Sequence, residues 1–139
     1  MAEAAFHKVG KSAKRMHGPR CILICGYGAD EQEQILSVIQ TCGLSAFPVV
    51  FASDEDVDAY LRDLVKMESG KGQGVSSGLA RAIIMSGFTE KELHGLLSAY
   101  KREGLVQQLW ATLTPISETW TLKALLEELA REAAAFRRR

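Results

Sequence analysis

The chain has 139 residues, 47% of them apolar and 24% charged, and its 17 basic side chains balance its 17 acidic ones. That length suits one domain with a single core, and the composition is ordinary for a soluble globular protein. No apolar run approaches the roughly 20 residues needed to span a bilayer.

The charge is unevenly placed. Lys8, Lys11, Lys14, Arg15 and Arg20 face only Glu3 at the start, and Arg137, Arg138 and Arg139 close the chain. The body between is acidic, which argues against a general nucleic-acid binder. Nucleic acid stays open as a partner only through the basic termini. The expected location is cytoplasmic, with an organelle stroma or matrix as the alternative, because a basic, acid-poor start is shared with transit segments. Cys21, Cys25 and Cys42 form an odd set whose spacing fits neither a disulfide framework nor a zinc site, so free thiols are expected.

Residues 1–19 read as a basic flexible arm ending at Gly18-Pro19. The continuous apolar run 21–25 stops at Gly26 and predicts a buried strand. Ile35, Leu36, Val38, Ile39 and Cys42 recur at helical spacing, with Gly43 as the stop. Residues 47–52 predict a second strand. Ser53 and Asp56 suggest a capping box, followed by a helix with Val57, Tyr60, Leu61 and Leu64 on one face. Residues 68–80 are rich in Gly and Ser and read as a flexible linker.

The plan then recurs. Residues 82–86 predict a strand stopping at Gly87. Thr89 and Glu92 form a capping box for a helix carrying Leu93, Leu96, Leu97 and Tyr100. Residues 109–113 predict a fourth strand, broken by Thr114-Pro115. Leu122, Leu125, Leu126 and Leu129 mark the last helix, with Thr119 as its expected cap and Trp120 packed back on Pro115 or Phe88.

Sliding the sequence by about sixty residues lays 20–44 on 81–105. Arg20, Gly26 and Glu31 fall on Arg81, Gly87 and Glu92; Tyr27 meets Phe88. The expected fold is therefore α/β: a tandem βαβα duplication, with repeats 20–67 and 81–131 joined by linker 68–80. The repeats would form a four-stranded, mainly parallel sheet of order 2-1-3-4, covered by helices on both faces. With the first and third strands parallel neighbours, loops Gly26-Tyr27-Gly28 and Gly87-Phe88-Thr89 would meet at a topological switch point.

Gly87-Phe88-Thr89, Glu92-Leu93, Leu113-Thr114-Pro115 and Trp120 carry a resemblance. From Ile83 to Leu129 the chain resembles a small bacterial family known only as a domain of unknown function, with the pattern GF[ST]xxEL followed by LTPxSxxW. The resemblance implies no activity. The first half lacks the Thr-Pro and the tryptophan.

Candidate binding residues are Gly26, Tyr27, Gly87, Phe88, Thr89, Thr114, Pro115 and Trp120. No catalytic residue, metal ligand or cofactor is expected. Cys25, at a strand end before a Gly-rich loop, is similar in position to the phosphocysteine of sugar-phosphotransferase IIB proteins. Asp30, Glu31 and Glu33 would repel a phosphate there, and the repeat partner is Ser86. His94 has no second ligand at metal spacing. The expected function is a non-enzymatic protein-interaction or assembly module, with a small ligand at the switch point as an added role and oligomerisation left open. The alternatives are a thiol-dependent enzyme or phosphocarrier using Cys25, and a nucleic-acid-associated factor using the basic termini.

Overall fold

A computed structural model describes residues 14–105 and 108–137. Strands β1 (Cys21–Cys25), β2 (Val49–Ala52), β3 (Ala82–Ser86) and β4 (Leu109–Thr112) form one sheet in the order β2-β1-β3-β4. The helices are α1 (Ala29–Thr41), α2 (Leu61–Leu64), α3 (Glu90–Arg102) and α4 (Leu122–Arg137). Short 3-10 turns at Asp54–Asp56 and Ser117–Thr119 follow β2 and β4.

Side chains alternate along each strand, so the sheet has two apolar faces. Ile22, Ile24, Val49, Phe51, Ile83 and Met85 pack with Ile35 and Ile39 of α1 and Leu93 and Leu96 of α3. Leu23, Cys25, Val50, Ile84 and Ala111 pack with Leu61 and Leu64 of α2 and Leu122 and Leu125 of α4. Each fully buried leucine of these stripes contributes about 2 kcal/mol of transfer free energy.

The sheet order and its two helical faces match the expectation, and β1–β2 and β3–β4 are parallel pairs. The central pair differs: β1 and β3 run antiparallel, with Leu23 opposite Ile84. A twofold axis perpendicular to a sheet, passing between two neighbouring strands, reverses one against the other. Leu23 and Ile84 are 61 positions apart (23 to 84), and the contacts around them come in reciprocal pairs with that offset. Leu61 N–H donates to Trp120 O at 2.9 Å, and Leu122 N–H donates to Ala59 O at 2.9 Å. Tyr60 bridges Thr121, its own counterpart. Arg20 pairs with Glu92, and Arg81 pairs with Glu31 at 3.0 Å.

Three local expectations also change. The helix expected over Val57–Leu64 is shortened to α2, because Tyr60 is diverted into the bridge to Thr121 and stays 44% exposed. The cap of α4 is Thr121, whose Oγ1 accepts from Ala124 N–H at 3.2 Å; Thr119 Oγ1 instead donates to Ile116 O. The Gly/Ser-rich segment read as a flexible linker is fastened along its length. Gly70 N–H donates to Val49 O and Phe51 N–H donates to Lys71 O, so the segment runs along the outer edge of β2. Lys71 Nζ reaches Asp56 Oδ2 at 2.8 Å. The buried amide of Gln32 receives Gly74 N–H and donates to Val75 O. Gly78 N–H donates to Asp54.

Residues 1–13 of the basic arm lie outside the described residues. Its end is held against the start of α3: Arg15 bridges Thr89, and Met16 N–H donates to Phe88 O.

Candidate functional site

The antiparallel β1–β3 pair separates the two glycine loops. Gly26 packs against the backbone of Leu79, Ala80 and Arg81 before β3; Gly87 packs against Gly18, Pro19 and Arg20 before β1. They lie just beyond opposite ends of five-residue strands, about 20 Å apart at strand rise. The expected switch-point cleft between them is therefore not formed.

Each loop is used for packing instead. Gly26 (φ +80°) and Gly87 (φ +70°) take a conformation that favours glycine, and a β-carbon on either would collide with the backbone opposite. Tyr27 is buried, with its hydroxyl 2.8 Å from that of Tyr100 and donating to Gln108 Oε1 at 3.0 Å. Burial, then the bond to Tyr100, pushes its phenol above the ordinary range. Phe88 is wholly buried beside Phe47. Thr89 caps α3, its Oγ1 accepting from Glu92 N–H while Glu92 Oε1 accepts from Thr89 N–H.

Cys25 is wholly buried, and desolvation, followed by the charge of Asp56, raises its thiol to about 12. Cys21 is pushed to about 12 by burial as well. A thiol so placed yields little thiolate near neutral pH, whereas nucleophilic and phosphate-carrying cysteines work as thiolates. Among the described residues no group of three or more His, Cys, Asp or Glu side chains could hold a metal ion. No helix among them is long and apolar enough to cross a membrane. Of the basic terminal residues, Arg15 donates to Gly87 O and Gly18 O, and Arg20 to Glu92 and Gly87 O. Lys8, Lys11, Arg138 and Arg139 lie outside the described residues.

The remaining candidates come together at β4. β2 and β4 are the two edges of the sheet, yet they are covered unequally. Every residue of β2 is buried, because the 68–80 segment overlies its edge; three of the four residues of β4 are only half-buried. The difference follows from what comes next in each half. After α2 the chain turns back and reaches β2 by Gly70. The position 61 residues beyond Gly70 is Arg131, still inside α4. The last helix runs on, and no segment among the described residues returns along β4.

A groove of about 430 Å³ lies beside this edge, between β4 and α4. Trp120, Leu125 and Leu129 form its apolar walls, with Ile116 at 70% exposure on its rim; Trp110 reaches it only from the strand edge, its ring lying on the other face of the sheet against Tyr100. Thr114 and Ser117 shape the turn above it: Thr114 N–H donates to Ser117 Oγ at 3.0 Å and Ser117 N–H to Thr114 Oγ1 at 2.9 Å. The same turn in the first half is made by Ser53 and Asp56. Glu128 and Glu132 line the groove, and among the described residues no basic side chain does.

Thr114 and Trp120 thus belong to one concave surface, and Pro115 is exposed in the turn beside it. Trp120 packs on the α2/α4 side of the sheet, whereas Phe88 belongs to the other apolar face, so the expected Trp120–Phe88 contact is not made. Ile116, Leu129, Glu128 and Glu132 were not legible as site residues. The available signal was an isoleucine inside an otherwise polar turn.

Residues 81–136, from just before β3 to the last turns of α4, match the family model described as a domain of unknown function (DUF3783). The match takes in the whole groove. The chain matches no curated protein and no solved structure.

Proposed function

We propose that this domain is a non-enzymatic protein-interaction module that works through the groove beside β4. The observation that carries the reading is the grouping of exposed Ile116 with Trp120, Leu125 and Leu129 at the less covered edge of the sheet. Aromatic anchors in a concave apolar patch are the usual energetic centre of an interface. Burial of Cys25 weighs against thiol chemistry as the role of the domain.

The reciprocal contacts support a second inference, that the chain is a duplicated βαβα unit whose second copy carries the binding surface. In this reading the residues of the GF[ST]xxEL and LTPxSxxW pattern divide by task. Gly87, Phe88 and Glu92 hold the two copies together, and Thr114, Ser117 and Trp120 shape the groove.

A photo-crosslinking side chain at Ile116 tests the interaction reading in the native cell. The expected result is an adduct of discrete mass that is absent when the same group replaces exposed Gln40 on α1. Equal labelling from both positions, or none from Ile116, would remove the groove as an interface.

A further inference from the structure

We propose that the groove takes an extended peptide segment that adds to the sheet along β4 and carries a basic side chain against Glu128 and Glu132. This deepens the interaction reading and rests on it. Three observations bear on the occupant.

The first is an internal template. The start of the 68–80 segment is a run of turns, with Lys71 N–H donating to Glu68 O and Gln73 N–H to Gly70 O, laid against the opposite edge strand. It is held by two backbone hydrogen bonds, Gly70 N–H to Val49 O at 2.8 Å and Phe51 N–H to Lys71 O at 2.9 Å. Its lysine is anchored on an acid beside the strand end, Asp56. The fold therefore already contains one edge closed by main-chain bonds to a lysine-bearing segment, and the twofold relation places the corresponding outward groups on β4.

The second is the orientation of the β4 backbone. Leu109 N–H and Leu113 N–H donate to Arg81 O and Met85 O of the β3 side. In a strand, successive peptide groups point to opposite sides, so the Thr112 N–H and C=O face outward. Thr112 is the counterpart of Phe51, which makes the capping bond in the first half. An outward edge of this kind recruits extended chain through main-chain bonds, with side-chain pockets adding specificity.

The third is charge. In the first half the acid that receives Lys71 is Asp56. Its counterpart is Ser117, which cannot do so. Glu128 and Glu132, one helical turn apart on α4, supply the negative charge at the groove instead. Arg131 touches Glu128 but is largely exposed and lies outside the lining. An apolar segment with one Lys or Arg matches this surface, and an acidic segment does not.

The test uses the full chain and three fluorescein-labelled nine-residue peptides. One alternates valine and threonine around a central lysine, the second has glutamate in place of that lysine, and the third is the first with alternate backbone nitrogens methylated. Fluorescence anisotropy reads affinity, and the Thr112 amide resonance reports the sheet contact. The expected result is binding of the lysine peptide, a shifted and exchange-protected Thr112 amide, and binding about tenfold weaker for the other two peptides. Glu128→Lys with Glu132→Lys should reverse the preference toward the glutamate peptide. Ile116→Asp, at an exposed position, should abolish binding without unfolding the chain. Equal affinity for all three peptides, an unmoved Thr112 amide, or concentration-dependent pairing of the chain with itself through β4 in sedimentation would each overturn the proposal. A cellular adduct at Ile116 alongside such a failure would leave the interaction reading standing and remove only the strand-addition mode.

Discussion

The covering of β2 depends on a glycine, and Gly72→Ala isolates that dependence. Gly72 has φ +77°, and a β-carbon there would overlap the carbonyl oxygen of Phe51 and lie 3.1 Å from its carbon. The left-handed conformation alone costs a non-glycine residue about 1 kcal/mol. The overlap is with backbone, so no rotamer change relieves it and the segment must lift. Lifting loosens Gly70 N–H to Val49 O and Phe51 N–H to Lys71 O, each worth about 1 kcal/mol net. The Lys71–Asp56 pair is partly exposed at the lysine and adds less than that. The total is about 3 kcal/mol, a substantial share of the 5 to 15 kcal/mol roughly expected for a domain. Gly74→Ala is the control. Gly74 also has a positive φ, +89°, but nothing lies within 4 Å of its would-be β-carbon, so only the conformational cost of about 1 kcal/mol applies. Urea unfolding measures both, and hydrogen exchange at the Phe51 amide should accelerate in the first variant only. Equal losses in the two variants would refute the assignment of Gly72 as the point of close approach.

Trp120→Ala should cost about 2 kcal/mol, less than a wholly buried tryptophan, because its ring is half-exposed in the groove wall. An unchanged thermal midpoint would show that the ring contributes nothing to holding α4. Thiol labelling of the native protein at neutral pH should reach half-buried Cys42 first and Cys21 and Cys25 only on unfolding; rapid modification of Cys25 would reopen thiol chemistry. Burial alone would raise the Asp56 carboxyl, but the bonds from Lys71 and Ser53 outweigh it and leave it below the usual 3.8. The pair's contribution is therefore present in full above about pH 4 and lost as the pH falls through the lowered value. Lys71→Met should flatten the stability profile below pH 4, and an unaltered acid limb would count against the ion pair.

The sheet order and the two helical faces were readable because apolar runs at 21–25 and 82–86, and stripes such as Ile35, Val38 and Ile39, carry their own periodicity. The direction of β3 against β1 was not. A repeat in sequence does not say whether its copies are related by translation or by rotation. Tyr60 belonged to a good helical stripe, yet the reciprocal bridge to Thr121 outweighed local propensity. The Gly/Ser composition of 68–80 looked like a tether because composition does not reveal that Gln32 and Asp54 await its backbone. Of the candidate residues, Thr114 and Trp120 were found through an uncommon local string. Glu128 and Glu132 were hidden in an ordinary charged helix face and become meaningful only beside β4.

The axis through Leu23 and Ile84 also bears on what a half-length version of this chain could do. A chain comprising only residues 81–136 would expose the inner side of β3, whose five residues are all buried here. Such a fragment carries its own remedy, because the surface it lacks is nearly the surface it has. Two copies could pair β3 with β3 antiparallel about Ile84 and cross-bond their α4 starts as Ala59 and Leu122 do now. We therefore expect the isolated fragment to sediment as a dimer that rebuilds the four-stranded sheet, with two β4 edges left uncovered where the described residues of the full chain leave one. A stable folded monomer would contradict that expectation. By this logic the first half acts as a covalently attached twin: it completes the sheet of the second half at any dilution, and its own outer edge is already closed.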